Sequence, residues 1–301
     1  MNKKKYLDLS VKGFIIGDAV GMPYEFKKRG TFQCTKIRSS SINDAHFLLP
    51  IGTWSDDSSL MLCVLKSLNH VDFEKHWNLN AAKFMFFGCF TNHFFRIPYD
   101  VGKTCMKGII YSILGRKNPR ANNIRSNGNG GLMRMLPIAF IDCDDIDKIL
   151  SFVTSINKNS HGHYISNIGC LIYILLIKKL LRNDQNLHEL LFQIKNEIKN
   201  YHASEYERIL TGAIIDMPAD EIKSTGYVVD TLESAIWAMA NSTNYEDAIL
   251  KAINLGGDTD TIAAITGSMA AIRYQSYSEQ WWNKIKRKKF VEKLLAKSKI
   301  C

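Results

Sequence analysis

The chain has 301 residues, of which 46% are hydrophobic and 23% charged, and a net charge of +10. That length accommodates one large domain or two ordinary ones, and the composition excludes a disordered or fibrous chain. The charge is local: residues 283–301 hold eight Lys or Arg and one Glu, leaving about +3 elsewhere, so a solvated basic C-terminal helix is expected rather than a nucleic-acid site.

Apolar residues recur at helical spacing from the start. The stretch 7–21 repeats them and stops near Gly21 and Pro23, and 58–70 does so again, with Leu60, Val64, Leu65 and Leu68 as a stripe. Further helices are predicted at 73–87, 144–156, 163–181, 187–201, 204–214, 228–239, 246–255 and 261–274. Period-two alternation between turn signals is absent, which predicts an all-α fold in a single domain over residues 1–301. The tail offers only Phe290 beyond Trp281 and Trp282, too little for a stacking platform. Seven cysteines lie scattered without a CxxC spacing, as reduced thiols of a cytoplasmic protein would. The longest unbroken apolar run, 170–177, falls short of a membrane span, and charges interrupt the N-terminal segment where a signal peptide needs an apolar core. No membrane partner is expected.

The segments that break the helical pattern carry the chemistry. "WSDDSSLML" and "GGDTDTIAAI" each place two carboxylates and a hydroxyl on the first turn of an apolar helix: Ser55, Asp56 and Asp57, then Asp258, Asp260 and Thr261. One such start is an ordinary helix cap. Two suggest convergence, and four converging carboxylates need a cation between them. An all-oxygen donor set suits Mg²⁺ or Mn²⁺ in a two-metal site that activates water. "SNGNGGLMR" offers glycines for close backbone approach and a helix start near Leu132, without the Lys-Ser/Thr ending of a phosphate-binding P-loop. Asp18 falls inside an apolar helix, where a carboxyl needs a partner or a role. Glu25 follows a Pro-led turn. His161 and His163 stand two apart, a spacing that favours structure or substrate contact over a helical metal pair.

The set "GDAVGMPYE", "WSDDS", "NGGLMRMLP", "SHGH", "GYVVDTL" and "GGDTDT" resembles the ADP-ribosylglycohydrolase family, particularly its dinitrogenase-reductase-activating branch. The blocks occur in the family's order over residues 13–275, leaving the basic tail outside the family core. The resemblance implies an all-α fold whose cleft holds two Mg²⁺ or Mn²⁺ ions and releases ADP-ribose from a modified acceptor, most often an arginine. Carried over position by position, the metal ligands are Ser55, Asp56, Asp57, Asp258, Asp260 and Thr261. Glu25 and Asp100 are the catalytic acids. Asn129, Gly130, Gly131, Met133, Arg134 and His161 lie along the ADP-ribose, and Tyr227 faces its adenine side. The resemblance also implies a monomer acting on an ADP-ribosylated protein, and the tail's few aromatics leave nucleic acid an unlikely partner. Ser55 replaces the usual Thr and keeps the hydroxyl, whereas "MAAIRYQ" replaces two glycines after GGDTDT. Two other readings are an ADP-ribosyl hydrolase for serine, ester or nucleic-acid linkages, and a non-catalytic ADP-ribose-binding module.

Overall fold

The computed structural model describes residues 2–91, 98, 100–182 and 186–300, and the fold is all-α. Among the described residues there is no strand, only an isolated bridge between Gly128 and Tyr227. The helices are α1 (Lys3–Gly21), α2 (Asp56–Ser67), α3 (Phe73–Phe87), α4 (Lys103–Ile113), α5 (Ile146–Asn157), α6 (Tyr164–Arg182), α7 (Leu187–Glu197), α8 (Glu207–Leu210), α9 (Val228–Ala240), α10 (Tyr245–Asn254), α11 (Thr259–Arg273), α12 (Glu279–Trp282) and α13 (Lys288–Ala296). Asn2, Asp72, Asp145 and Asn244 each accept a first-turn amide at their helix starts, the side-chain caps that orphan N–H groups need.

Three expectations change. The helix read across 204–214 breaks into 3₁₀ turns around the four-residue α8, with Gly212 left-handed at φ 80°. Helix α4 had no counterpart in the sequence reading. Helix α6 is long and apolar enough to cross a membrane, although its unbroken apolar run is short; 78% of its apolar window is buried inside the protein, against α5, α7, α9 and α11.

Helices α1 and α11 form the spine. They run antiparallel, with Gly13, Gly17 and Gly21 of α1 against Gly267, Ala263 and Asp260 of α11. Glycine at i, i+4 and i+8 removes every side chain from one stripe, so the backbones meet. A Cβ at Gly17 would fall on the Ala263 carbonyl, and one at Gly21 would lie 2.5 Å from Asp260 Cα. Glycine costs a helix interior about 1 kcal/mol against alanine; here close approach explains it. Gly17→Ala is therefore expected to destabilise the protein by at least about 2 kcal/mol despite its better helix propensity, as read by urea denaturation.

The basic C-terminus is folded onto the body. Trp281, Trp282, Ile285, Val291 and Leu295 are buried, and Lys286 donates its backbone N–H to the Gly52 carbonyl at 2.9 Å. The helix expected over 283–301 is interrupted at Arg287, whose φ is 49°. Its lysines face mainly outward, as a solvated face would.

Candidate active site

The spine fixes two chain segments at one end of the molecule: the turn after α1, which carries Glu25, and the start of α11. Gly256 and Gly257 are both left-handed, at φ 75° and 72°, a conformation glycine adopts without steric cost. They let the chain tie three loops together. Gly257 N–H donates to Lys27 O at 2.9 Å, Phe26 N–H to Gly257 O at 2.7 Å, and Asp258 N–H to Ser224 O at 3.0 Å. Asp258 occupies the N-cap position of α11 but makes no capping hydrogen bond with its side chain. Its carboxylate instead accepts from Asn129 Nδ2 at 2.7 Å. The simple cap reading fails here.

At α2 the cap reading holds, and a third helix is recruited. Ser55 Oγ accepts the Asp57 N–H at 3.1 Å, leaving its second lone pair uncommitted. Asp18, fully buried on α1, accepts from Ser55 N at 2.8 Å, Ser58 N at 3.1 Å and Ser58 Oγ at 2.5 Å. Ser55 and Ser58 are thus the partners that a carboxyl inside an apolar helix requires. Burial raises its pKa to about 6, although the Ser58 and Ser55 hydrogen bonds oppose the shift. Through Asp18 the start of α2 hangs from the spine. Asp18→Ala should cost about 2–3 kcal/mol by stranding buried donors, and should lower activity by loosening Asp56 and Asp57; chemical denaturation and turnover assays read the two effects.

The result is a cleft of about 270 Å³ lined by six carboxyl groups, Glu25, Asp56, Asp57, Asp100, Asp258 and Asp260, with Thr261, Asn129, Gly130, Met133 and His161 also in its wall. Asp56, Asp57 and Asp260 have pKa values pushed well above the usual carboxyl range, first by burial and then by neighbouring carboxylates. Asp57 Oδ2 and Asp260 Oδ1 are buried without a hydrogen-bond partner. Carboxylate oxygens of Glu25, Asp258 and Asp260 approach within 4.8 Å of one another. Such oxygens are costly to bury together unless protons or cations neutralise them, so this donor set fits hard divalent ions.

Glu25 also belongs to a second group, with Asp100 and His46. Glu25 rises to about 8, by burial and then by Asp258 and Asp18; Asp100 rises to about 8, by burial and then by Glu25. His46, which sequence patterning did not single out, joins them: its Nε2 touches Glu25 Oε2 and lies 3.5 Å from Asp100 Oδ1. Three non-glycine residues around this trio are left-handed, Phe26, Leu48 and Asp100, at φ 62°, 59° and 61°. Aspartate tolerates that region, whereas Phe and Leu do so at a cost of about 1 kcal/mol or more. No periodic signal marks His46, because its contact spans 21 residues through a loop. Ile97 and Tyr99, in the block around Asp100, lie outside the described residues.

The expected ADP-ribose positions divide. Asn129 bridges Asp258 and Thr231, its Nδ2 donating to Thr231 Oγ1 at 3.0 Å. His161 is buried, its pKa lowered to about 3 by burial and then by Arg134, so a neutral imidazole faces the cleft. Arg134, expected near the phosphates, is instead 1% exposed and turned inward. It donates to Asn157 Oδ1 at 2.8 Å and Ser160 Oγ at 2.6 Å and lies over Trp77, so it braces the loop bearing His161 from behind. Gly131 also faces inward: a Cβ there would meet Asn157 Nδ2 and Ser166 Oγ. Tyr227 stands outside the cleft wall, 37% exposed, at the bridge with Gly128. His163 Nδ1 accepts from Asn127 Nδ2 at 3.0 Å and belongs to the scaffold.

The six described cysteines other than Cys301, Cys34 through Cys170, are free thiols, as the scattered spacing predicts.

The helical frame thus gathers six carboxyls, four of them at two helix starts, beside a glycine-rich loop and a neutral histidine. The sequence model of the family described as ADP-ribosylglycohydrolase aligns with residues 10–300, and the chain belongs to that family. The match includes the basic C-terminal helix, which the motif blocks alone had left outside. The chain is 28% identical over 295 residues to ADP-ribosylarginine hydrolase Tri1 of Pseudomonas putida, covering 94% of this chain and 74% of the relative. It is 24% identical over 267 residues to ADP-ribosyl-[dinitrogen reductase] glycohydrolase of Rhodospirillum rubrum, covering 87% and 83%. A solved structure titled ADP-ribosylglycohydrolase-related protein complex superposes with a TM-score of 0.78 over 98% of this chain and 97% of that one, at 24% identity, which establishes the fold.

Proposed function

We propose that the protein hydrolyses the bond between ADP-ribose and an arginine side chain of a modified protein, using two Mg²⁺ or Mn²⁺ ions. The observation that carries this reading is the pair of buried, unpartnered oxygens on Asp57 and Asp260 among converging carboxyls, together with relatives whose names specify ADP-ribosylarginine. The ions would be held by Asp56, Asp57, Asp258 and Asp260, with the hydroxyls of Ser55 and Thr261. Bound there, they would supply Lewis acidity toward ribose hydroxyls and lower the pKa of an attacking water.

The chain's own residues do the rest. Asp18 and Asn129 hold the two ligand-bearing helix starts in register. Glu25 and Asp100, raised to about 8 in the metal-free cleft by burial and by their carboxylate neighbours, are the groups placed to donate a proton to the departing guanidine nitrogen. His161, neutral, the backbone of Gly130 and Met133 line the cleft without adding charge; these position the ribose and phosphates. Tyr227 stands at the rim for the adenine. The whole chain acts as one domain and a monomer, in the cytoplasm.

The test is release of ADP-ribose from an arginine-ADP-ribosylated protein with Mg²⁺ or Mn²⁺, then with EDTA. Release that EDTA abolishes is expected. Its absence under every metal condition would overturn the arginine reading.

A further inference from the structure

Residues 101–141 hold seven Lys or Arg and no Asp or Glu. This stretch alone outweighs the surplus left outside the C-terminal tail, so the body is zoned by charge. Arg134 is internal; the other six, Lys103, Lys107, Arg116, Lys117, Arg120 and Arg125, are exposed, and none pairs with an acid among the described residues. Some cations elsewhere are matched, as Lys12 is with Asp8, Lys195 with Glu207 and Lys251 with Asp247.

These cations form one wall leading from the catalytic cleft. Lys103 and Thr104 line the cleft itself. Thr104 is shared with an adjoining cavity of about 390 Å³ that Lys107, Arg120 and Arg125 line. Asn118 connects that cavity to a third, of about 670 Å³, which Arg116 and Lys117 border.

Helix α4 adds an apolar component to the same wall. Cys105 and Ile109 are buried, whereas Met106, Ile110, Ile113 and Leu114 are 37%, 38%, 45% and 59% exposed. Lys103, Lys107, Ile110 and Leu114 fall at i, i+4, i+7 and i+11, so cations and apolar groups share one outer face. That mixture suits a protein surface, with apolar contacts at the centre and charged ones around them. A single-stranded nucleic acid would call for aromatic platforms, and no aromatic side chain lines either accessory cavity.

Resting on the reading of the enzyme as an ADP-ribosyl-arginine hydrolase, we propose that this wall docks the acceptor protein. It selects acceptors whose modified arginine lies in an acidic, partly apolar surface. The chemistry in the cleft is indifferent to this choice; recognition is spatially separate.

Two peptides test it, each with one ADP-ribosylated arginine, flanked in one by Glu and Leu and in the other by Ser, with free ADP-ribosyl-arginine as a third substrate. Wild type is expected to favour the acidic peptide over the serine peptide by about tenfold or more in kcat/KM at low salt, and the preference should shrink as ionic strength rises. The Arg116→Glu/Lys117→Glu variant should lose the preference and cleave free ADP-ribosyl-arginine at the wild-type rate; Ile110→Ser should weaken the acidic peptide's KM alone. Equal cleavage of both peptides by wild type would overturn the docking proposal, as would a loss of DNA binding in the variant with peptide preference intact. Cleavage of none of the three substrates would instead sink the hydrolase reading beneath it.

Discussion

Asp57→Asn is expected to reduce turnover by roughly 10²–10³-fold while raising the melting temperature of the metal-free protein. The two effects have one cause. Burial first, and then Asp56, Asp18 and Asp258, push the Asp57 pKa well above the usual carboxyl range; one of its oxygens has no hydrogen-bond partner. In the metal-free protein, removing that charge or its enforced proton relieves a repulsion that the Thr261 hydrogen bond only partly opposes. With Mn²⁺ present the same oxygen is the useful one, so activity falls. Calorimetry in EDTA and an activity assay with Mn²⁺ read both arms. Should stability and activity fall together, Asp57 would be an ordinary structural acceptor.

The second prediction concerns pH. Glu25 and Asp100 are raised to about 8 and Asp18 to about 6, from ordinary values near 4. The folded protein therefore binds more protons than the unfolded chain between about pH 4 and 8, and stability must fall as pH rises through that window. A carboxylate whose pKa is depressed by an ion pair does the opposite. The drop should be on the order of several kcal/mol in EDTA and should largely vanish with saturating Mn²⁺, which favours the ionised carboxyls as the proton does the neutral ones. Thermal melts from pH 5 to pH 9, with and without metal, decide it. A metal-free protein that grows more stable toward pH 8 would mean the carboxyls are separated in solution.

How far the sequence anticipates this site depends on whether a residue's role is local. The two acid-loaded helix starts were legible because both the helix and its N-terminal chemistry are written within ten residues. Residues 73–87 reappear unchanged as α3. Helix α4 was missed because apolar residues occupy both its buried face, at Cys105 and Ile109, and its exposed one, at Ile110 and Leu114, which blurs the stripe. Arg134 sits in the expected motif, yet its direction is decided by Asn157 and Ser160, partners more than twenty residues away. His46 and the glycine stripe of α1 depend likewise on distant segments, Glu25 and α11.

The glycine stripe has a consequence for how this enzyme can change. Because α1 and α11 touch backbone to backbone, and α2 is suspended from Asp18, the carboxyl-bearing helix starts travel as one rigid casting with no independent adjustment. A substitution that moved one would move all. The wall built on α4 hangs outside this casting, in a stretch where glycines 102 and 115 have open space around them. Descendants of this chain are thus free to exchange their clientele by rewriting that wall, while the reaction they inherit stays fixed.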